Sequence, residues 1–155
     1  MLPKVGQKAP EFSIADQNGA HQSLAQYSGK WVILYFYPKD DTPGCTKEAC
    51  SFRDSFAALK KAGVVVLGAS ADSAKKHVKF IEKYELPFAL LADEEKELVK
   101  QYGVWGKKKF MGREYMGINR VTFLIDPKGS IAKVYENVKP DNHAQAILLD
   151  IEALS

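Results

Sequence analysis

Seven consecutive apolar residues, Trp31-Val32-Ile33-Leu34-Tyr35-Phe36-Tyr37, constrain the fold of this chain most strongly. A run without a polar position has no side to give to water, and its β-branched and aromatic content favours a strand over a helix. Such a strand belongs at the centre of a sheet with both faces covered. Pro38 follows and ends it, since proline cannot donate to a ladder. The run is far shorter than the ~20 residues a membrane span needs. Met1-Leu2-Pro3-Lys4-Val5-Gly6 lacks the apolar stretch and cleavage site of a secretory signal, so no membrane partner and a cytoplasmic location are expected.

The flanking segments alternate in type. Residues 9–14 alternate apolar and polar, Gln17-Asn18-Gly19 is a turn, and residues 21–24 complete a short hairpin. Residues 63–70 form a second buried strand. A helix then starts at Asp72 or Ser73, with Val78, Ile81 and either Phe80 or Tyr84 inward. Pro87 precedes a short strand, residues 88–91, and residues 94–102 form a charged helix with Leu98, Val99 and Tyr102 inside. Residues 105–117, with Lys107-Lys108-Lys109 and Gly106, Gly112 and Gly117, read as a loop. Residues 120–125 and 131–138 flank the hairpin turn Asp126-Pro127-Lys128-Gly129, and Pro140 opens a last helix. This order predicts one α/β domain over residues 1–155, a central mixed β-sheet with helices on both faces.

Both cysteines sit directly after the central strand, in Pro38-Lys39-Asp40-Asp41-Thr42-Pro43-Gly44-Cys45-Thr46-Lys47-Glu48-Ala49-Cys50. At ~100° per residue, Cys45, Ala49, Phe52, Phe56 and Leu59 fall at roughly 0, 40, 340, 20 and 320°, one apolar stripe of a helix that Gly63 stops. Thr42 is a suitable N-cap and Pro43 a suitable first helical residue, which makes Cys45 the third. The positive end of the helix dipole and the free amides of its first turn favour thiolate over thiol there. Cys50 falls at ~140° from Cys45, on the polar side.

Five residues of intact α-helix separate the two Cα atoms by roughly 8.7 Å, beyond the ~7 Å limit of a disulfide. Pairing of the two cysteines therefore requires the first turns to unwind. A Cys-x4-Cys spacing does not suit direct disulfide exchange, but it does suit oxidation of Cys45 to sulfenic acid followed by condensation with Cys50. Attack on a peroxide needs donors for both oxygens. Thr42 offers a hydroxyl, and Arg120, at a strand start, is the candidate cation.

The net charge of +3 is dispersed, with no concentrated basic face, so no nucleic-acid partner is expected. Two cysteines cannot make a zinc site alone. His21, His77 and His143 lie far from them in sequence, read as surface residues, and imply no metal.

The string Tyr37–Cys50 resembles the peroxiredoxins, whose Pro-x-x-x-Thr-x-x-Cys motif matches Pro38, Thr42 and Cys45, and within them the PrxQ or bacterioferritin comigratory group. The likeness extends to Ala9-Pro10-x-Phe12, to Gly103-Val104-Trp105-Gly106 and to residues 120–126. It implies a thioredoxin-like fold and reduction of hydrogen peroxide and organic hydroperoxides without a cofactor. By this resemblance Cys45 is the peroxidatic cysteine, Thr42 and Arg120 bind and polarise peroxide, and Pro38 shields the thiolate. Glu48, which alone reads as a surface charge, matches a glutamate that orients the arginine. Cys50 matches a resolving cysteine whose intramolecular disulfide with Cys45 is reduced by thioredoxin or a similar dithiol. With no third cysteine, a resolver in a partner's C-terminal segment is excluded, and a monomer or weak homodimer is expected. Two other readings stay open on the residues: a redox sensor whose helix unwinding signals to a partner, and a binding module with inert thiols.

Overall fold

The computed structural model describes residues 2–136 and 138–155. In chain order these form β1 (Ser13–Ala15), β2 (His21–Ser23), β3 (Trp31–Phe36), α1 (Pro43–Asp54), α2 (Phe56–Lys61), β4 (Val64–Ser70) and α3 (Ala74–Tyr84). β5 (Ala89–Ala92), α4 (Glu97–Gln101), β6 (Trp105–Phe110), β7 (Arg113–Ile118), β8 (Val121–Ile125), β9 (Ile131–Tyr135) and α5 (His143–Leu154) follow.

The apolar run up to Phe36 is β3, and it lies at the centre of a sheet ordered β5-β4-β3-β8-β9. It runs parallel to β4 and antiparallel to β8, so the sheet is mixed, as its sequence pattern requires. Alternate side chains serve the two faces. Ile33, Tyr35 and Tyr37 pack with Cys45, Ala49 and Phe52 of α1, Phe80 of α3 and Ala144, Ile147 and Ile151 of α5. Val32, Leu34 and Phe36 pack on the other side with Leu98, Val99 and Tyr102 and with Ala9 and Phe12 near the N-terminus. This double burial is what makes a strand without polar positions stable here.

The structure corrects several expectations drawn from sequence. The helix expected to run on to Gly63 breaks at Ser55, leaving α1 and α2 separate, and Phe56 of the apolar stripe is only half-buried. Residues 105–117 are not a loop but the ribbon β6–β7, paired antiparallel from Trp105↔Ile118 to Phe110↔Arg113. Solvent reaches both sides of that ribbon, so it carries no alternation that would reveal it. The last helix starts at His143 rather than near Pro140, after Asn142 in the left-handed region at φ 60°. His77 and His143 are buried, not surface residues; only His21 is exposed. Glu48 is fully buried rather than a surface charge.

Candidate active site

The loop between β3 and α1 is held from below. Asp40 accepts from the Tyr37 hydroxyl at 2.6 Å and bonds His77 Nδ1 at 2.7 Å, while its own N–H donates to Asp72 Oδ2 at 2.9 Å. His77 Nε2 lies 2.9 Å from the Leu91 carbonyl, and Ser70 Oγ donates to Asp72 at 2.7 Å. Asp40, Asp72 and His77 could together offer ligand atoms to a metal. Their mutual and backbone bonds already account for their burial. Asp41 adopts φ 57°, a conformation that aspartate tolerates better than most residues. Its carboxylate accepts from Lys83 Nζ and the Tyr84 hydroxyl, both at 2.8 Å, which ties the loop to α3 and draws Asp41 below its ordinary value.

Thr42 precedes α1 in an extended conformation, but its side chain does not cap the helix. The hydroxyl instead donates to the Lys39 carbonyl at 2.9 Å, and the Thr42 carbonyl accepts from Thr46 N–H at 2.8 Å. First-turn amides have no partner within a helix. Those of Gly44 and Cys45 also gain no side-chain acceptor among the described residues, so the positive end of α1 is uncapped around Cys45.

Cys45 is the third residue of α1, as expected, and 1% exposed. Arg120, on the residue before β8, donates from Nη2 to Cys45 Sγ at 3.3 Å and from Nη1 to Glu48 Oε1 at 2.7 Å. Glu48 lies one turn beyond Cys45, so a single guanidinium fork spans both residues. Gly44 makes room for it: a Cβ there would lie 3.1 Å from Arg120 Nη2.

The pair is costly to bury. Desolvation pushes Glu48 up to about 7, against the opposing attraction of Arg120. Burial also pulls on Arg120, but the charges of Glu48 and Cys45 prevail and hold it above its ordinary value. Behind Glu48 stands His143, with Nε2 3.9 Å from Oε2 and 2.9 Å from Thr122 Oγ1. Burial, with Arg120 adding to it, pulls His143 down to about 4, so it is neutral at pH 7. Glu48 Oε2 and the Tyr35 hydroxyl are buried without a hydrogen-bond partner among the described residues. Sequence reading missed His143, although it begins the stripe His143, Ile147, Ile151 at i, i+4 and i+8. That spacing was the available signal.

Cys50 is half-buried on the same unbroken helix, and both thiols are free. Beyond it α1 is clamped. Ser51 Oγ accepts from Ala144 N–H at 3.0 Å and lies 3.2 Å from Gln145 Oε1, and Arg53 Nη1 donates to the Tyr84 carbonyl at 2.9 Å. Phe52 stacks on Tyr35 with centroids 4.6 Å apart. The structure thus brings Cys45, Glu48 and Arg120 into contact and sets Thr42 beside them at the helix start. It leaves Cys50 apart, and Pro38 half-buried at the end of the strand.

A cysteine held by arginine at a helix start invites comparison with known proteins. The sequence model of the AhpC/TSA family matches residues 5–134. The chain belongs to the AhpC/TSA family of peroxiredoxins. It is 49% identical to peroxiredoxin Bcp of Escherichia coli K12 over 145 residues, which cover 94% of this chain and 93% of that one. Peroxiredoxin Bcp of Bacillus subtilis is 46% identical over 155 residues, 100% and 99% of the two chains. The bacterioferritin comigratory protein of Xanthomonas campestris was solved as trapped intermediate and ligand complexes bearing on its alkyl peroxide reduction activity. It superimposes with a TM-score of 0.90 at 33% identity, covering 97% of this chain and 99% of that one. This peroxiredoxin therefore shares the thioredoxin-like fold of its group over nearly its whole length. No helix among the described residues is long and apolar enough to cross a membrane.

Proposed function

We propose that this peroxiredoxin is a thiol peroxidase in which Cys45 attacks peroxide and Cys50 resolves the product. The contact that carries the reading is Arg120 Nη2 on Cys45 Sγ, made at an uncapped helix N-terminus. A guanidinium and free amides stabilise a sulfur anion and the charge that develops on the leaving oxygen. Sγ bonds to one peroxide oxygen, the O–O bond breaks, and the other oxygen takes up a proton and leaves as water or an alcohol. Sulfur is oxidised by two electrons to sulfenic acid. The Thr42 hydroxyl, with its proton committed to Lys39 O, presents lone pairs that accept the peroxide O–H. Pro38 limits the access of water from the strand side.

Cys50 then displaces water from the sulfenic acid to form the disulfide, which requires the start of α1 to unwind. Ser51, Phe52 and Arg53 are anchored to α5, to the sheet and to α3, so the helix divides after Cys50. A thioredoxin-type dithiol returns both thiols to the reduced state.

Intact mass after one equivalent of peroxide tests these roles. Wild type is expected to lose two hydrogens, Cys50→Ser to gain one oxygen, and Cys45→Ser to stay unchanged. Oxygen addition to Cys45→Ser at the wild-type rate would reverse the assignment. Continued NADPH consumption with a thioredoxin system distinguishes an enzyme from a sensor, which stops after one turnover.

Gly44→Ala separates stability from chemistry. Alanine favours a helix over glycine by about 1 kcal/mol, so the variant is expected to melt no lower than wild type. The new Cβ nevertheless crowds Arg120 Nη2, and oxidation of Cys45 is expected to slow by about three- to tenfold, measured by competition kinetics. A lower melting temperature with an unchanged rate would contradict the role given to Gly44.

A further inference from the structure

Arg120, which donates to Cys45 Sγ, also lines a cavity of about 600 Å³, whose walls include Lys108, Asn119, Val121 and Glu136. Lys108 comes from β6, where successive side chains alternate between the two sides of the ribbon. Lys107 and Lys109 are exposed, whereas Lys108 is half-buried.

The ribbon provides a seat for this one lysine. Its Nζ donates to the Ile118 carbonyl at 2.9 Å. Its stem crosses Gly117, where a Cβ would come within 2.9 Å of Lys108 Cδ and 3.3 Å of the Tyr115 ring. A side chain at position 117 would displace the lysine stem from this course. An ammonium has three donors, and one is used by Ile118. No carboxylate among the described residues lies within 4 Å of Nζ, although Glu136 borders the same cavity. Burial and the charge of Arg120 both draw Lys108 below its ordinary value, while Cys45 opposes them, so the two cations and the reactive sulfur act on one another.

We infer that Lys108 is a substrate-reading residue, which receives a carboxylate carried by the same molecule whose hydroperoxide group reaches Cys45 alongside Arg120. A volume of about 600 Å³ is within the range of small-molecule sites. Val121 and Leu2 on the same walls suit the hydrocarbon between the two groups. The substrate class this favours is a hydroperoxide bearing a carboxylate, over a neutral one of the same skeleton.

The inference rests on the peroxidase reading, and its test keeps the two apart. A tertiary hydroperoxide with a terminal carboxylate and its methyl ester are compared as oxidants of Cys45 in the full chain, by the second-order rate constant. The acid is expected to react about tenfold faster than the ester at about 20 mM salt, and this advantage is expected to shrink at about 500 mM. Lys108→Met is expected to bring the ratio to about one, Lys108→Arg to keep most of it, and Lys107→Met to leave it as in wild type. The Lys107 control separates a local contact from the general positive field of the protein. An acid-to-ester ratio that survives in Lys108→Met overturns the inference and leaves the peroxidase reading intact. If neither compound oxidises Cys45 in wild type, the peroxidase reading itself fails.

Discussion

Replacing Arg120 by methionine is expected to slow oxidation of Cys45 by peroxide by about 10²–10³-fold, the usual loss when a donor aimed at developing charge is removed. In the proposed reaction Arg120 acts on both sides: it donates to Sγ, and its guanidinium would stabilise the charge developing on the leaving oxygen. Its loss also strands Glu48, and removing one member of a buried pair commonly costs about 3–5 kcal/mol. Here the cost has a limit, because Glu48 already titrates at about 7 with Arg120 present and simply takes up a proton when the cation is gone. The variant should therefore fold at neutral pH and lose stability mainly on the alkaline side.

Lysine is not an adequate replacement. One ammonium cannot reach Sγ and Oε1 along the two arms that Nη2 and Nη1 provide, so Arg120→Lys is expected to recover only part of the rate. Stopped-flow rates at pH 7, with melting curves at pH 6 and 8, check both parts. An Arg120→Met rate within about threefold of wild type would remove Arg120 from the chemistry.

The elements that sequence made legible are those whose pattern is imposed by the core. The run from Trp31 to Tyr37 has to be a central strand, and the Cys45, Ala49, Phe52 stripe has to face it. The position of Cys45 at the third residue of α1 follows from Pro43 and the residues before it. Features that depend on long-range partners were not legible in the local pattern, and only the family resemblance tied Glu48 to the arginine. Glu48 is charged and sits between lysine and alanine, and only Arg120, 72 residues away, explains its burial. His77 is buried by Asp40 and the Leu91 carbonyl, and His143 by Thr122, all distant in the chain. The Thr42 side chain fits the N-cap pattern, yet bonds the Lys39 carbonyl, which leaves the start of α1 without a side-chain cap. Local rules fail here at the candidate site, where a side-chain cap would have filled groups that the proposed reaction uses.

Glu48 and His143 also determine how stability responds to pH, and Glu48→Gln is expected to expose it. The folded-state value of Glu48 is raised to about 7 from 4.5. Between those values the folded chain holds a proton that the unfolded chain releases, so this group lowers stability as pH rises, by about 3 kcal/mol in all, and is level above 7. His143 is depressed to about 4 from 6.5. Below 6.5 the unfolded chain binds a proton that the folded chain refuses, so this group raises stability with pH over nearly the same window, by a similar amount. In wild type the two slopes oppose one another.

Glutamine at position 48 does not titrate, and its amide oxygen can still accept from Arg120 Nη1. The variant should therefore match wild type near pH 4.5 and exceed it by about 3 kcal/mol at pH 8, with stability rising between about 4 and 6.5. Urea unfolding of both proteins across this range checks the difference, in which every other group cancels. A constant difference at all pH values would show that Glu48 is not the buried titrating group. The same variant is expected to oxidise about tenfold more slowly, because a neutral amide holds the guanidinium less firmly than a carboxylate does. Gaining stability while losing rate is the outcome expected of a residue that positions the arginine, since its buried charge destabilises the fold at pH 7 and above.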